Sequence, residues 1–318
     1  MSKPNEIVLR RIYDAPVKLV WEAWTELEHV EKWWGPRGFT LTTHSKDFRP
    51  GGKWIYTMHG PDGTDYPNVT TYHEIVKYEK LVYDHGGNAE RQKLFTVTAL
   101  FKEEKGKTTL TMTSTLPTAE EAVAMRQFIK QAGGDSTWDR LGEYLSKQSA
   151  DKEQFFITRS FDADIETMYD MWSRPEHIAK WLPPTGATMR YLRAEPQVGA
   201  TSFYSMTFTD GPTIYGLIKY LAFERPNRIV YTQQFCDENE RVMRPPFFKN
   251  WPETMLTTVE LVAEGPDRTR AAVRWEPHDF TDADINEFIS QRNGMTMGWT
   301  GSFDKLDALL AIRKEAVA

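Results

Sequence analysis

Five of the chain's seven histidines, His29, His44, His59, His73 and His85, fall in its first half. Histidine binds metals and moves protons near neutral pH, so their spacing is the first chemistry to test. Three sit on successive expected strands, which leaves a cluster geometrically open. No two stand at i, i+2 or in an H-x-x-x-H pattern, so no metal centre is expected. Asp62, Asp65, Glu74, Asp84 and Arg91 could reach the mouth of a cavity. To act as acid or base there, one of the carboxylates would need an environment that shifts its pKa. The "GPDG" around Asp62 is equally what a hairpin turn requires. Cys236 is the one cysteine, so no disulfide within the chain and no cysteine metal site can form. Nothing around it marks a nucleophile, and a buried structural thiol in a reducing compartment is expected. There is no G-x-S-x-G elbow, and "RPGGKW" lacks the spacing of a phosphate loop. No catalytic residue, metal or cofactor is assigned.

One stretch combines a histidine with two tryptophans and a Gly-Pro break: "EHVEKWWGPRG", Glu28 to Gly38. It has a second copy, "EHIAKWLPPTG", Glu176 to Gly186. A shift of 148 positions brings Arg11, Asp14, Trp24, His29, Trp33 and Gly38 onto identical residues, and later Tyr56, Met58, Tyr72 and Tyr83 as well. One register held over seventy residues identifies a tandem duplication, with a period far too long for a solenoid. Residues 1–148 and 153–318 are the expected domains. The polar "SKQSADKEQ", Ser146 to Gln154, is the expected linker.

The elements that must position these residues are legible in one unit. "EIVLRRIY" suits a strand. Pro16 then opens a helix whose Val17, Val20, Trp21 and Trp24 share one face. A short helical turn from His29 to Trp33 ends at Gly35-Pro36. Six strands follow, joined by short turns such as "RPGG" and "GPDGT", which implies an antiparallel meander. A closing helix starts at a Thr118–Glu121 capping box, breaks at Gly133-Gly134 and resumes with Trp138, Leu141 and Leu145. In the second copy, Thr281 and Asp284 begin the same element.

Composition narrows the function. The net charge is -6 and no long basic run exists, which excludes a partner held by phosphate contacts, so no nucleic acid is expected. The first 150 residues hold 20 basic and 20 acidic side chains, so the acidic excess lies in the second half. No run reaches the ~18 apolar residues of a membrane span, and the N-terminus lacks a signal-peptide core. A cytoplasmic protein is expected. Aromatic residues reach 13%, with 11 tryptophans, which suits an aromatic-walled cavity as well as a large core.

An antiparallel sheet must cover its apolar face, and the closing helix is the available cover. A curved sheet around one helix leaves room for a cavity. Period-two alternation puts Trp54, Tyr56 and Met58 on one face, with Tyr204, Met206 and Phe208 in the second copy. With Tyr83, Trp138, Tyr231 and Trp299 they are the candidate cavity residues. The insertion "ENERVMRPPFFKNWPETM" is expected to form a loop with exposed aromatics over a cavity mouth or the domain interface.

"DAPVKLVWEAWTELEHVEKWWGP", "PGGKWIYTMHGPDG" and "GMTMGWTGSFDKLDALL", in this element order, resemble the SRPBCC or START-like superfamily. More narrowly, they resemble the family named for homology to the activator of the Hsp90 ATPase. The resemblance covers nearly the whole chain, twice. It implies an α+β chain of two tandem helix-grip (START-like) domains, each a curved antiparallel sheet wrapped around a long C-terminal helix. It does not fix a reaction, because the fold hosts lipid binders, cyclases, resistance proteins and co-chaperones. "QAGGDSTWDRL" in the first copy lacks the Gly298-Trp299 pair of the second, which puts that copy's helix–sheet contact in question. The expected function is a binding protein for a small apolar or amphipathic molecule. An enzyme such as a cyclase, hydrolase or isomerase would need a buried carboxylate or histidine facing inward beside a tyrosine. A protein-interaction or chaperone-regulator module is the third possibility; no residue pattern supports a protein partner.

Overall fold

The computed structural model describes residues 3–131, 133–149 and 153–317. The chain divides into two compact units, Met1–Ser149 and Ala150–Ala318. The first unit runs β1 (Glu6–Tyr13), α1 (Val17–Thr25), α2 (Leu27–Val30), β2 (Thr40–Lys46), β3 (Lys53–His59), β4 (Asp65–Val76), β5 (Lys80–Gly87), β6 (Phe95–Glu104), β7 (Lys107–Thr115), α3 (Ala119–Gln131) and α4 (Ser136–Ser149). Its strands form one seven-stranded antiparallel sheet in the order β1-β7-β6-β5-β4-β3-β2.

The second unit repeats this plan. It runs β8 (Phe155–Phe161), α5 (Ile165–Ser173), α6 (Pro175–Trp181), β9 (Ala187–Arg193), β10 (Thr201–Phe208), β11 (Thr213–Glu224), β12 (Arg228–Cys236), β13 (Thr254–Gly265), β14 (Arg268–His278), α7 (Asp282–Ser290) and α8 (Arg292–Val317). Its sheet order is β8-β14-β13-β12-β11-β10-β9. Each unit is thus a helix-grip domain of START-like architecture, and the chain is α+β. No helix among the described residues is long and apolar enough to cross a membrane.

The closing helices are broken for local reasons. Gly133, at φ +65°, takes the left-handed conformation between α3 and α4, where other residues are strained. At the start of α3 the Thr118 hydroxyl accepts from the Glu121 N–H at 3.2 Å. The reciprocal box is complete only in the second unit, at Thr281 and Asp284. Helix α4 extends to Ser149, into the expected linker, and positions 150–152 of that segment lie outside the described residues.

Leu141 and Leu145 of α4 are fully buried against the sheet. The contact questioned for the first copy therefore exists through these leucines, while Trp138 packs on α1. The Trp138 ring lies 5.3 Å from Trp24, as Trp299 lies 6.0 Å from Trp172 in the second unit.

The tryptophan motif is a latch for the closing helix. Trp33 Nε1 donates to the Ala23 carbonyl at 2.8 Å, and Trp181 Nε1 to that of Met171 at 3.0 Å. Both acceptors lie in the last turn of a helix, where carbonyls lack intrahelical partners. Each bond ties the tryptophan to the preceding helix. His29 Nδ1 meets the Tyr144 hydroxyl at 2.5 Å. Arg140 donates to the carbonyls of Gly35 and Pro36 at 2.7 and 2.9 Å, and Arg37 pairs with Glu143. In the second unit Ser302 donates to Leu182 O and Lys305 to Pro183 O. The Gly-Pro break thus holds the helix that roofs the sheet.

Candidate functional site

Each unit holds a half-open cavity between sheet and closing helix. The first is about 200 Å³ and is walled by Trp34, Met58, Tyr83, His85, Phe95, Val97 and Trp138, with Ser114, Asp135 and Thr137. The second is about 190 Å³ and is walled by Leu182, Tyr204, Met206, Tyr231, Gln233, Trp275 and Trp299. Of the expected residues, Met58, Tyr83 and Trp138 line the first cavity, and Tyr204, Met206, Tyr231 and Trp299 the second.

Trp54, Tyr56 and Phe208 do not line either cavity. Phe208 sits at the end of β10, where its carbonyl accepts from Gly211 in the hairpin turn. Trp54 and Tyr56 are buried core, stacked on each other at 4.1 Å, with Trp34 edge-on to Trp54 at 5.4 Å. The second unit differs at three matching positions. Leu182 replaces Trp34, Ser202 replaces Trp54, and Gly216 replaces Asn68 opposite the tyrosine. Without those side chains Tyr204 lies across the strand and reaches the cavity, where its hydroxyl accepts from Gln233 Nε2 at 2.8 Å.

His85 was not among the expected wall residues, although it lies two positions after Tyr83 on β5 and so on the same face. Its ring packs on Phe95 at 5.2 Å and near Trp34 at 6.2 Å. Burial, aided by the positive charge of Arg91, pushes its pKa down to about 4, so it is neutral at pH 7. Burial also holds the Tyr83 phenol well above its ordinary value. The wall therefore carries a neutral imidazole beside a protonated phenol.

The other chemical candidates are occupied elsewhere. Asp84 accepts from Thr96 at 2.7 Å and pairs with His73 and Lys93 at 3.0 and 3.1 Å. Asp65 pairs with His59 and Glu74 with Lys80. Asp62 accepts from Thr64 in its turn, and Arg91 donates to Gly86 O. His44 meets Thr57. Glu26, Glu28 and His29 are the one grouping of metal-type ligands among the described residues. Both glutamates are exposed, and an exposed acidic cluster is no site by itself. Cys236 is a buried free thiol, and burial raises its pKa to about 11, as suits an inert structural residue.

The insertion is anchored, not loose. Trp251 is buried, stacks on Phe248 at 4.6 Å and packs against Phe288 of α7. Its N–H donates to Asp284 at 2.9 Å, and Arg244 pairs with the same carboxylate at 3.0 Å. Phe247 alone of its aromatics is exposed, and none of them lines the second cavity.

The model of the family described as Activator of Hsp90 ATPase homolog 1-like protein matches residues 14–146 and again residues 162–311. Comparison with curated proteins finds no match. Solved structures of similar fold include a Nitrosomonas europaea protein, 23% identical, covering 48% of this chain and 100% of its own, with a TM-score of 0.43. A Staphylococcus epidermidis protein is 27% identical over 48% of this chain and 94% of its own, with a TM-score of 0.42. The di-domain ARO/CYC BexL from the BE-7585A biosynthetic pathway is 12% identical over 95% of this chain and 97% of its own, with a TM-score of 0.39.

Proposed function

The chain belongs, in both halves, to the Activator of Hsp90 ATPase homolog 1-like family, and on that premise we propose that it is a binding protein for small apolar or amphipathic molecules. The observation that carries this reading is the pair of cavities, each at the same place under the closing helix and each walled mainly by aromatic and aliphatic side chains. A buried site of this kind gains roughly 25 cal/mol per Å² of apolar ligand surface removed from water. A cavity of about 150 Å³ holds one benzene ring, so these two suit compounds of one or two rings.

The test is calorimetric titration with naphthalene-sized probes. The wild-type chain should bind saturably. Met58→Trp should fill the first cavity and Met206→Trp the second, each removing part of the binding. Absence of saturable binding, or binding untouched by both substitutions, overturns the proposal.

A second reading, an enzyme working in the first cavity, is favoured by one observation: Tyr83 and His85 face inward side by side. General acid–base catalysis is most effective when the catalytic pKa lies near the working pH. An imidazole held near 4 is a weak base at neutrality, which places the binding reading first.

A further inference from the structure

The two cavities share a fold and a size, but they differ in hydrogen bonding at one wall position, His85 in the first and Gln233 in the second. On the first wall, among the described residues, neither the Tyr83 hydroxyl, the His85 ring nor the Ser114 hydroxyl has a hydrogen-bond partner in the protein. Tyr83 has Val97 directly opposite it on β6, and Val97 offers nothing to bond. Ser114 in turn stands opposite Val97 on β7. His85 has Phe95 opposite.

In the second unit one counterpart is relieved. Tyr231 stands opposite Thr257, whose hydroxyl has no partner, so the tyrosine gains no bond there. Gln233 stands where His85 does and is bonded to Tyr204. Trp275 stands where Ser114 does; its Nε1 has no partner but is fully covered. Ser302 bonds to the carbonyls of Leu182 and Gly298.

A site whose buried polar groups wait for a partner rejects a ligand that cannot supply one, because those groups then stay unpaired. Gln233, already bonded to Tyr204, imposes no such cost where His85 does. We infer that the first cavity selects an uncharged ring compound bearing a hydroxyl group, which donates to His85, and that the second cavity, with Gln233 already bonded in that place, makes this selection more weakly. This inference rests on the binding reading above. It assigns His85 as the residue that sets the first cavity's specificity. Asp135 on the same wall, 3.8 Å from the buried Arg11, disfavours an anionic ligand.

The test uses 2-naphthol and 2-methylnaphthalene, which differ only in hydroxyl against methyl. In the full chain carrying Met206→Trp, titration reads the first cavity. There 2-naphthol should bind about tenfold tighter, the scale of one hydrogen bond. His85→Phe should abolish that preference, with His85→Leu as a second variant should the larger ring disturb packing. In the chain carrying Met58→Trp, which reads the second cavity, the preference for 2-naphthol should be smaller, and an equal or larger preference there overturns this inference. Equal binding of both probes to the first cavity, or a preference that survives both His85 substitutions, overturns this inference and leaves the binding reading standing. Failure of both probes to bind either folded variant overturns both.

Discussion

The ring of Tyr204 lies directly over Gly216, its partner across the β10–β11 ladder. A Cβ at 216 would come within 2.4 Å of the tyrosine hydroxyl and ring. The side chain that hydrogen-bonds Gln233 in the second cavity is therefore admitted by the absence of another. Gly216→Ala should cost about 1–3 kcal/mol by overpacking and should displace Tyr204. Denaturant unfolding checks the cost. Tyr204→Ala should relieve it, so the double variant should be less unstable than the sum of the two singles.

The indole bond of the repeated tryptophan motif predicts a matched pair of effects. Trp33→Phe and Trp181→Phe each leave a carbonyl at a helix end without its donor. Each should lower stability by about 1–3 kcal/mol. Unfolding curves of the two variants that show no loss would mean that the indole bonds contribute nothing to stability.

His85 makes stability depend on pH. Its folded pKa of about 4 lies below the ordinary 6.5, so between these values the unfolded chain binds the extra proton. Stability should thus be fully present above pH 6.5 and be lost as pH falls from 6.5 toward 4. His85→Phe should flatten this part of the profile. Parallel denaturation of wild type and variant from pH 4 to pH 8 measures the difference.

Asp284 holds both the start of α7 and the insertion. Its burial opposes the charge, but hydrogen bonds from Thr281 and Trp251 and the charge of Arg244 keep its pKa below the ordinary value. Asp284→Ala should cost about 1.5–3 kcal/mol, the range for hydrogen bonds to a charged group. It should also free the segment 238–252. Limited proteolysis should then cut the variant there first, while the wild type stays resistant.

The chain's own order of residues determined the duplication, the element sequence, the antiparallel meander and the break at Gly133. These follow from local signals: a fixed register of 148, helical and strand periodicity, and turn residues. Alternation also set which face of a strand turns inward, and applied to β5 it would have reached His85 from Tyr83. What only the tertiary structure decided is which inward residue borders empty space. Tyr56 and Tyr204 share a position in the repeat, yet one is core and the other wall. The difference lies in residues 34, 54 and 68 against 182, 202 and 216, which come from separate strands and a loop. The same holds for Trp138, which replaces Trp299 from a different place in its helix, and for Trp251, buried by a helix that follows it by some thirty residues. Periodicity reports the direction of a side chain, whereas a cavity is the volume that several distant side chains together fail to fill.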